Sequence, residues 1–153
     1  MRRLLDGLTA LTQLAVALAM ALMTAVISAE VFGRYVLNSS IYFSEELSRF
    51  CFVWAGFLGA SLAMREGSHI GVTLLTERLA PARRRPVLAV ARALTLALLA
   101  VVVVTGASIL PDQWGQQTAT LGFSVFWFYL AVPAGALLMA VQLVGLACSP
   151  PSR

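Results

Sequence analysis

From Gly7 to Ala29 the chain runs for 23 residues without a charge. That run leaves few folds open. A bilayer core is crossed by about 20 helical residues, and within it every backbone donor and acceptor must pair inside the protein, which selects helix for a single span. Three further apolar segments follow. One runs from Phe50 to Met64 and extends as helix back to Glu45 and forward to Arg65. Another runs from Ala93 to Pro111, with Arg92 able to snorkel from its first turn. The last runs from Phe123 to Cys148. The second segment reaches spanning length only if its terminal arginines snorkel. Charged residues make up 12% of the chain, against about a quarter in soluble domains.

These segments predict an all-α integral membrane protein, a single domain over residues 1–153. Its four transmembrane helices are expected at about 7–30, 45–65, 87–111 and 123–148. A short amphipathic interfacial segment over about 34–44 joins the first two, and a loop over 66–86 joins the second and third. Tyr35 and Tyr42 suit that interfacial stretch, which fits either an in-plane helix or a simple turn. Ser44, followed by Glu45 and Glu46, reads as an N-cap with acids in the first turn of the second helix. The rival reading of the first segment is a secretory signal behind Arg2 and Arg3, with Ala25 and Ala29 imitating a cleavage region. A signal core is about 7–15 residues, shorter than this run.

All eleven basic residues are arginines. In a four-span arrangement nine of them fall on one side: Arg2, Arg3, Arg65, Arg78, Arg83, Arg84, Arg85, Arg92 and Arg153. Only Arg34 and Arg49 fall on the other. This bias predicts cytoplasmic termini and a cytoplasmic 66–86 loop. It also argues against nucleic acid as a partner, because the basic residues cluster at segment ends and not along one face. Arg83–Arg85 before Pro86 reads as a headgroup anchor, making membrane lipids a partner. In the same arrangement Cys51 and Cys148 lie near opposite membrane faces, too far apart for a disulfide.

Between the first two spans lies a compact charged cluster: Glu30, Arg34, Glu45, Glu46 and Arg49. Glu30 precedes Arg34 by four residues and Glu45 precedes Arg49 by four, the favourable order for a helical ion pair. Charge at a bilayer edge is costly unless paired or facing protein, so these residues are candidates for a partner interface. Small residues four apart, Ala55–Gly59 and Gly56–Ala60 in the second helix and Ala131–Gly135 and Ala136–Ala140 in the fourth, allow close helix approach. That approach serves packing within the bundle or docking on a partner.

Several chemistries lack their residues. His69 is the only histidine, so paired axial haem ligands inside the membrane are missing. Ser68 beside His69 does not make a nucleophile–base pair by adjacency. Two cysteines without other ligands do not form a zinc site. No cofactor and no enzymatic activity are expected. A proton-coupled exporter of this size needs an acid deep in its first helix; here Glu30 stands at the end of the run.

Glu30-Val-Phe-Gly-Arg34-Tyr35-Val-Leu-Asn38, Phe43-Ser-Glu45-Glu46-Leu-Ser-Arg49, Trp54-Ala-Gly-Phe-Leu-Gly59-Ala60 and Arg65-Glu-Gly67-Ser-His69-Ile70 occur in this order. Together with Thr120-Leu-Gly122 and the aromatic run to Pro133, they resemble the small membrane subunit of tripartite ATP-independent periplasmic (TRAP) transporters, the DctQ type. The family often has tryptophan just before the Glu-Glu pair, where Tyr42 and Phe43 stand here, and proline where Ser124 stands. The resemblance implies a non-catalytic subunit that braces a large elevator-type membrane subunit. It also implies help in docking a periplasmic substrate-binding protein during sodium-coupled uptake of an organic acid. The partner-interface candidates are then Glu30, Arg34, Glu45, Glu46, Arg49, Trp54, Gly56, Gly59 and His69. Substrate-binding residues would lie in other chains. The alternatives are an autonomous small four-helix transporter and an assembly subunit of another membrane complex.

Overall fold

The computed structural model describes residues 2–65 and 81–147. Four helices account for most of them: α1 Arg2–Val36, α2 Ser44–Arg65, α3 Pro81–Gln113 and α4 Phe126–Ala147. Each contains a stretch long and apolar enough to cross a membrane by length and composition. The protein is an all-α membrane protein.

The helix boundaries depart from the sequence expectations in three places. α1 continues past Glu30 for more than a turn, because Arg34 bonds back to Glu30 across one turn at 2.6 Å and carries the helix onward. It ends at Val36, and two residues on the chain turns at Asn38, whose φ of 50° is a left-handed conformation that asparagine tolerates. The 37–43 connection is a bend and a turn, not an in-plane helix. α3 begins at Pro81 and holds Pro86 in its second turn. Proline is well placed at a first helical position, and one near the start removes only one ladder bond. α4 begins at Phe126, because Phe123 and Ser124 belong to the preceding loop.

α2 packs on α1 and on α4, and α4 packs on α3. The helices therefore stand in a row, α1–α2–α4–α3, with α1 and α3 at its edges. Along this row α2 and α4 run parallel, since the chain enters both from the same end. The core is built of small residues: Cys51, Ala55, Ala131 and Ala136 are buried, with Leu99 and Leu143. Small side chains let membrane helices approach closely. A Cβ on Gly135 would lie 2.5 Å from Phe57 Cβ, and one on Gly106 would lie 3.2 Å from Pro133 Cδ. The α2–α4 and α4–α3 contacts thus each close over a glycine. Gly56 is different, being exposed with open space where its Cβ would stand. Large apolar side chains such as Leu14, Leu18, Phe52, Leu94, Leu98 and Val104 face outward.

Four hydroxyls within the spans bond to their own helix. Thr12 donates to the Leu8 carbonyl, Thr24 to Met20, Ser61 to Leu58 and Thr95 to Ala91, all at 2.7–2.9 Å. In lipid this satisfies a polar group that has no water to turn to.

Candidate partner interface at the charged junction

At one end of the row, two loops meet the start of α2. The first is 37–43. Glu30, in the last two turns of α1, reaches across it: its carboxylate accepts from Arg34 Nη2 at 2.6 Å, Ser40 Oγ at 2.9 Å and the Ile41 N–H at 2.7 Å. The Gly33 carbonyl accepts from the N–H groups of Leu37 and Ser39. A Cβ on Gly33 would stand 2.8 Å from the Ser39 carbonyl oxygen, so the loop folds back closely enough to require glycine there. Ser44 does not cap α2 with its side chain. Its hydroxyl donates to the Ile41 carbonyl at 2.7 Å, while the Phe43 carbonyl accepts the Leu47 N–H that opens the helix.

The second loop, 114–125, is a small hairpin. Gln117 and Ser124 form an antiparallel bridge, Thr118 N–H donates to the Phe123 carbonyl at 2.8 Å, and Val125 N–H to Gln116 at 2.8 Å. Gly122 turns the tip at φ 66°, a conformation glycine adopts without penalty. Three consecutive N–H groups at that tip, from Ala119, Thr120 and Leu121, converge on the Glu46 carboxylate at 3.0, 3.2 and 2.8 Å. The Thr120 hydroxyl joins them. Successive N–H groups turned to one side form an anion-binding nest, and here α2 supplies the anion. Ser124, at the position where the family often has proline, lies 3.2 and 3.0 Å from the carbonyls of Gln113 and Trp114 and accepts from the Phe126 N–H.

Below the loops, Trp54 Nε1 donates to the Trp127 carbonyl at 3.1 Å. Phe50 meets Phe128 edge-on with ring centroids 5.1 Å apart, and Trp114 meets Phe126 at 4.8 Å. This aromatic layer joins α2 to the entry of α4.

The structure therefore divides the predicted charged cluster. Glu30 and Glu46 are spent inside the chain, each holding a loop. Glu45 and Arg49 pair with each other at 2.7 Å with side chains 83% and 66% exposed, and the Arg34 side chain is 61% exposed. Gly56 opens outward on the same helix as Arg49, and Gly59 has nothing near its Cβ position. Trp54 faces α4. His69 lies outside the described residues, as does Cys148; Cys51 is free and buried. Among the described residues no three His, Cys, Asp or Glu side chains gather to hold a metal. Sequence reading missed the nest, since its donors lie 73–75 residues from Glu46. The Leu121-Gly122 step was the one local sign of a turn there.

The family described as "Tripartite ATP-independent periplasmic transporters, DctQ component" matches residues 23–150, a stretch that holds the whole charged junction. The chain belongs to the DctQ family. DctQ proteins are transporter components and not enzymes. A small TRAP permease protein of Haemophilus influenzae is 45% identical over 62 residues, covering 40% of this chain and 38% of that one. The sialic acid small permease SiaQ of Vibrio cholerae is 28% identical over 128 residues, covering 80% of this chain and 71% of its own length. The sialic acid permease SiaT of H. influenzae is 27% identical over 119 residues, 78% of this chain but only 19% of SiaT. The chain thus spans well under half of the first and third of these relatives.

Proposed function

We propose that this DctQ chain is the non-catalytic small membrane subunit of a TRAP-type secondary transporter. It braces a large elevator subunit and helps receive a periplasmic substrate-binding protein during sodium-coupled uptake of an organic acid. The observation that carries this reading is the fate of its acids. Glu30 and Glu46 hold loops, so the carboxylates best placed to bind an ion or a solute at the junction serve as internal fastenings. What remains exposed there is Arg34, the Glu45–Arg49 pair and, at the end of α3, Asp112, a charged surface suited to another protein. The match to a 19% portion of the longer SiaT supports a role beside a larger membrane unit. The sialic acid named for SiaQ and SiaT favours a carboxylate solute for this system.

The proposed topology places both termini in the cytoplasm and the junction at the periplasmic face of the inner membrane. It rests on the nine-to-two arginine bias.

Reconstitution tests the reading. Proteoliposomes holding this chain alone should take up no organic acid down a sodium gradient, and adding the large subunit and binding protein should restore uptake. Robust uptake by the chain alone would establish an autonomous transporter instead.

A further inference from the structure

At the end of the row opposite the junction, α1 and α2 part around a cavity of about 350 Å³ lined by Asp6, Thr9, Ala10, Gln13, Leu62 and Arg65. That is room for roughly a dozen waters. Arg65 spans the cavity, donating from Nη2 to the Asp6 carboxylate and from Nη1 to the Thr9 hydroxyl. Both charges remain reachable, with side-chain exposures of 32% for Arg65 and 62% for Asp6. Asp6 is the last charge before the apolar run of α1 and Arg65 the first after that of α2, which sets the cavity at headgroup level, where charged side chains reach water. Toward the bilayer centre the same face of α1 continues through exposed Ala17 and Met20, where an acyl chain can lie. Asp6 and Thr9 precede residues 23–150, the stretch shared with the family.

We propose that this cavity binds the phosphoethanolamine headgroup of a membrane phospholipid. One fixed anion beside one fixed cation is the complement of a zwitterion. The phosphate sits against the guanidinium and the Thr9 hydroxyl, and the primary ammonium sits against the Asp6 carboxylate and the Gln13 amide oxygen. A purely anionic headgroup gains Arg65 but meets Asp6, so it binds less well. A choline headgroup has no N–H to donate to Asp6.

The test is native mass spectrometry of the full chain released from nanodiscs of equal parts phosphatidylethanolamine, phosphatidylglycerol and phosphatidylcholine. Retained phosphatidylethanolamine should exceed each of the others about fivefold, the factor expected for one charged contact near the surface. Asp6→Asn should erase the preference over phosphatidylglycerol, while Asp112→Asn, at the other end of α3, should leave it intact. Equal retention of the three lipids by the wild-type chain overturns the proposal, and so does an unchanged preference in Asp6→Asn. Soluble phosphoethanolamine supplies the second arm. Saturable binding of it to lipid-stripped chain, undiminished by added phosphatidylethanolamine, would assign the cavity to a free phosphate and not to lipid.

Discussion

Glu46 shows how much one side chain can hold when its donors come from a distant loop. Glu46→Gln replaces an acceptor-only carboxylate with an amide whose NH₂ must face some of the three N–H groups now aimed at it. Amide exchange at Ala119, Thr120 and Leu121 should quicken by roughly tenfold, while the α1–α2 loop held by Glu30 keeps its protection. Unchanged exchange at the tip would remove Glu46 from its role as a fastening. Arg49→Ala should cost the isolated chain at most ~0.5 kcal/mol, since an exposed pair one turn apart contributes no more. A marked fall in co-purification with the large subunit, at unchanged thermal stability, is the expected sign that Arg49 contacts a partner. The two i, i+4 pairs were legible because their spacing is the helix's own period. The Glu46 nest was not, because a contact across 73 residues leaves no periodic trace in the sequence. Ser44 was misleading for a related reason. Its type suited a cap, but the adjacent turn offered the Ile41 carbonyl at 2.7 Å, and the hydroxyl donated there.

At the scale of the element, hydropathy made all four helices visible, and charge hid the end of one. Glu30 and Arg34 looked like a boundary, yet as a bonded pair they carry α1 past the apolar run to Val36. Proline hid the start of α3 in the same way. Small-residue spacing was equally clear in α2 and α4 but could not say which pairs face inward. The structure assigns Gly135 to the α2 contact and leaves Gly56 open. Gly135→Ala should therefore overpack against Phe57 and destabilise the chain by about 1–3 kcal/mol, read as a lower midpoint of thermal unfolding in detergent. Gly56→Ala should leave that midpoint unchanged. If it also lowers the yield of complex with the large subunit, the open face of α2 is where the partner packs.

For the whole molecule, the proposed orientation rests on arginine bias and is open to direct measurement. In a chain lacking Cys51 and Cys148, Arg84→Cys should stay shielded from an impermeant thiol reagent in intact cells. Ser39→Cys and Asp112→Cys should be labelled once the outer membrane is permeable; labelling of Arg84→Cys under those conditions would reverse the topology. The parallel pairing of α2 and α4 has a consequence for the order of events at synthesis. Glu46 emerges from the ribosome more than seventy residues before the N–H groups that receive it. Until α4 is threaded into the bilayer, the α1–α2 hairpin waits with a bare carboxylate at its rim. A chain truncated before position 119 never closes that rim, so the last hairpin to arrive locks the first one in place.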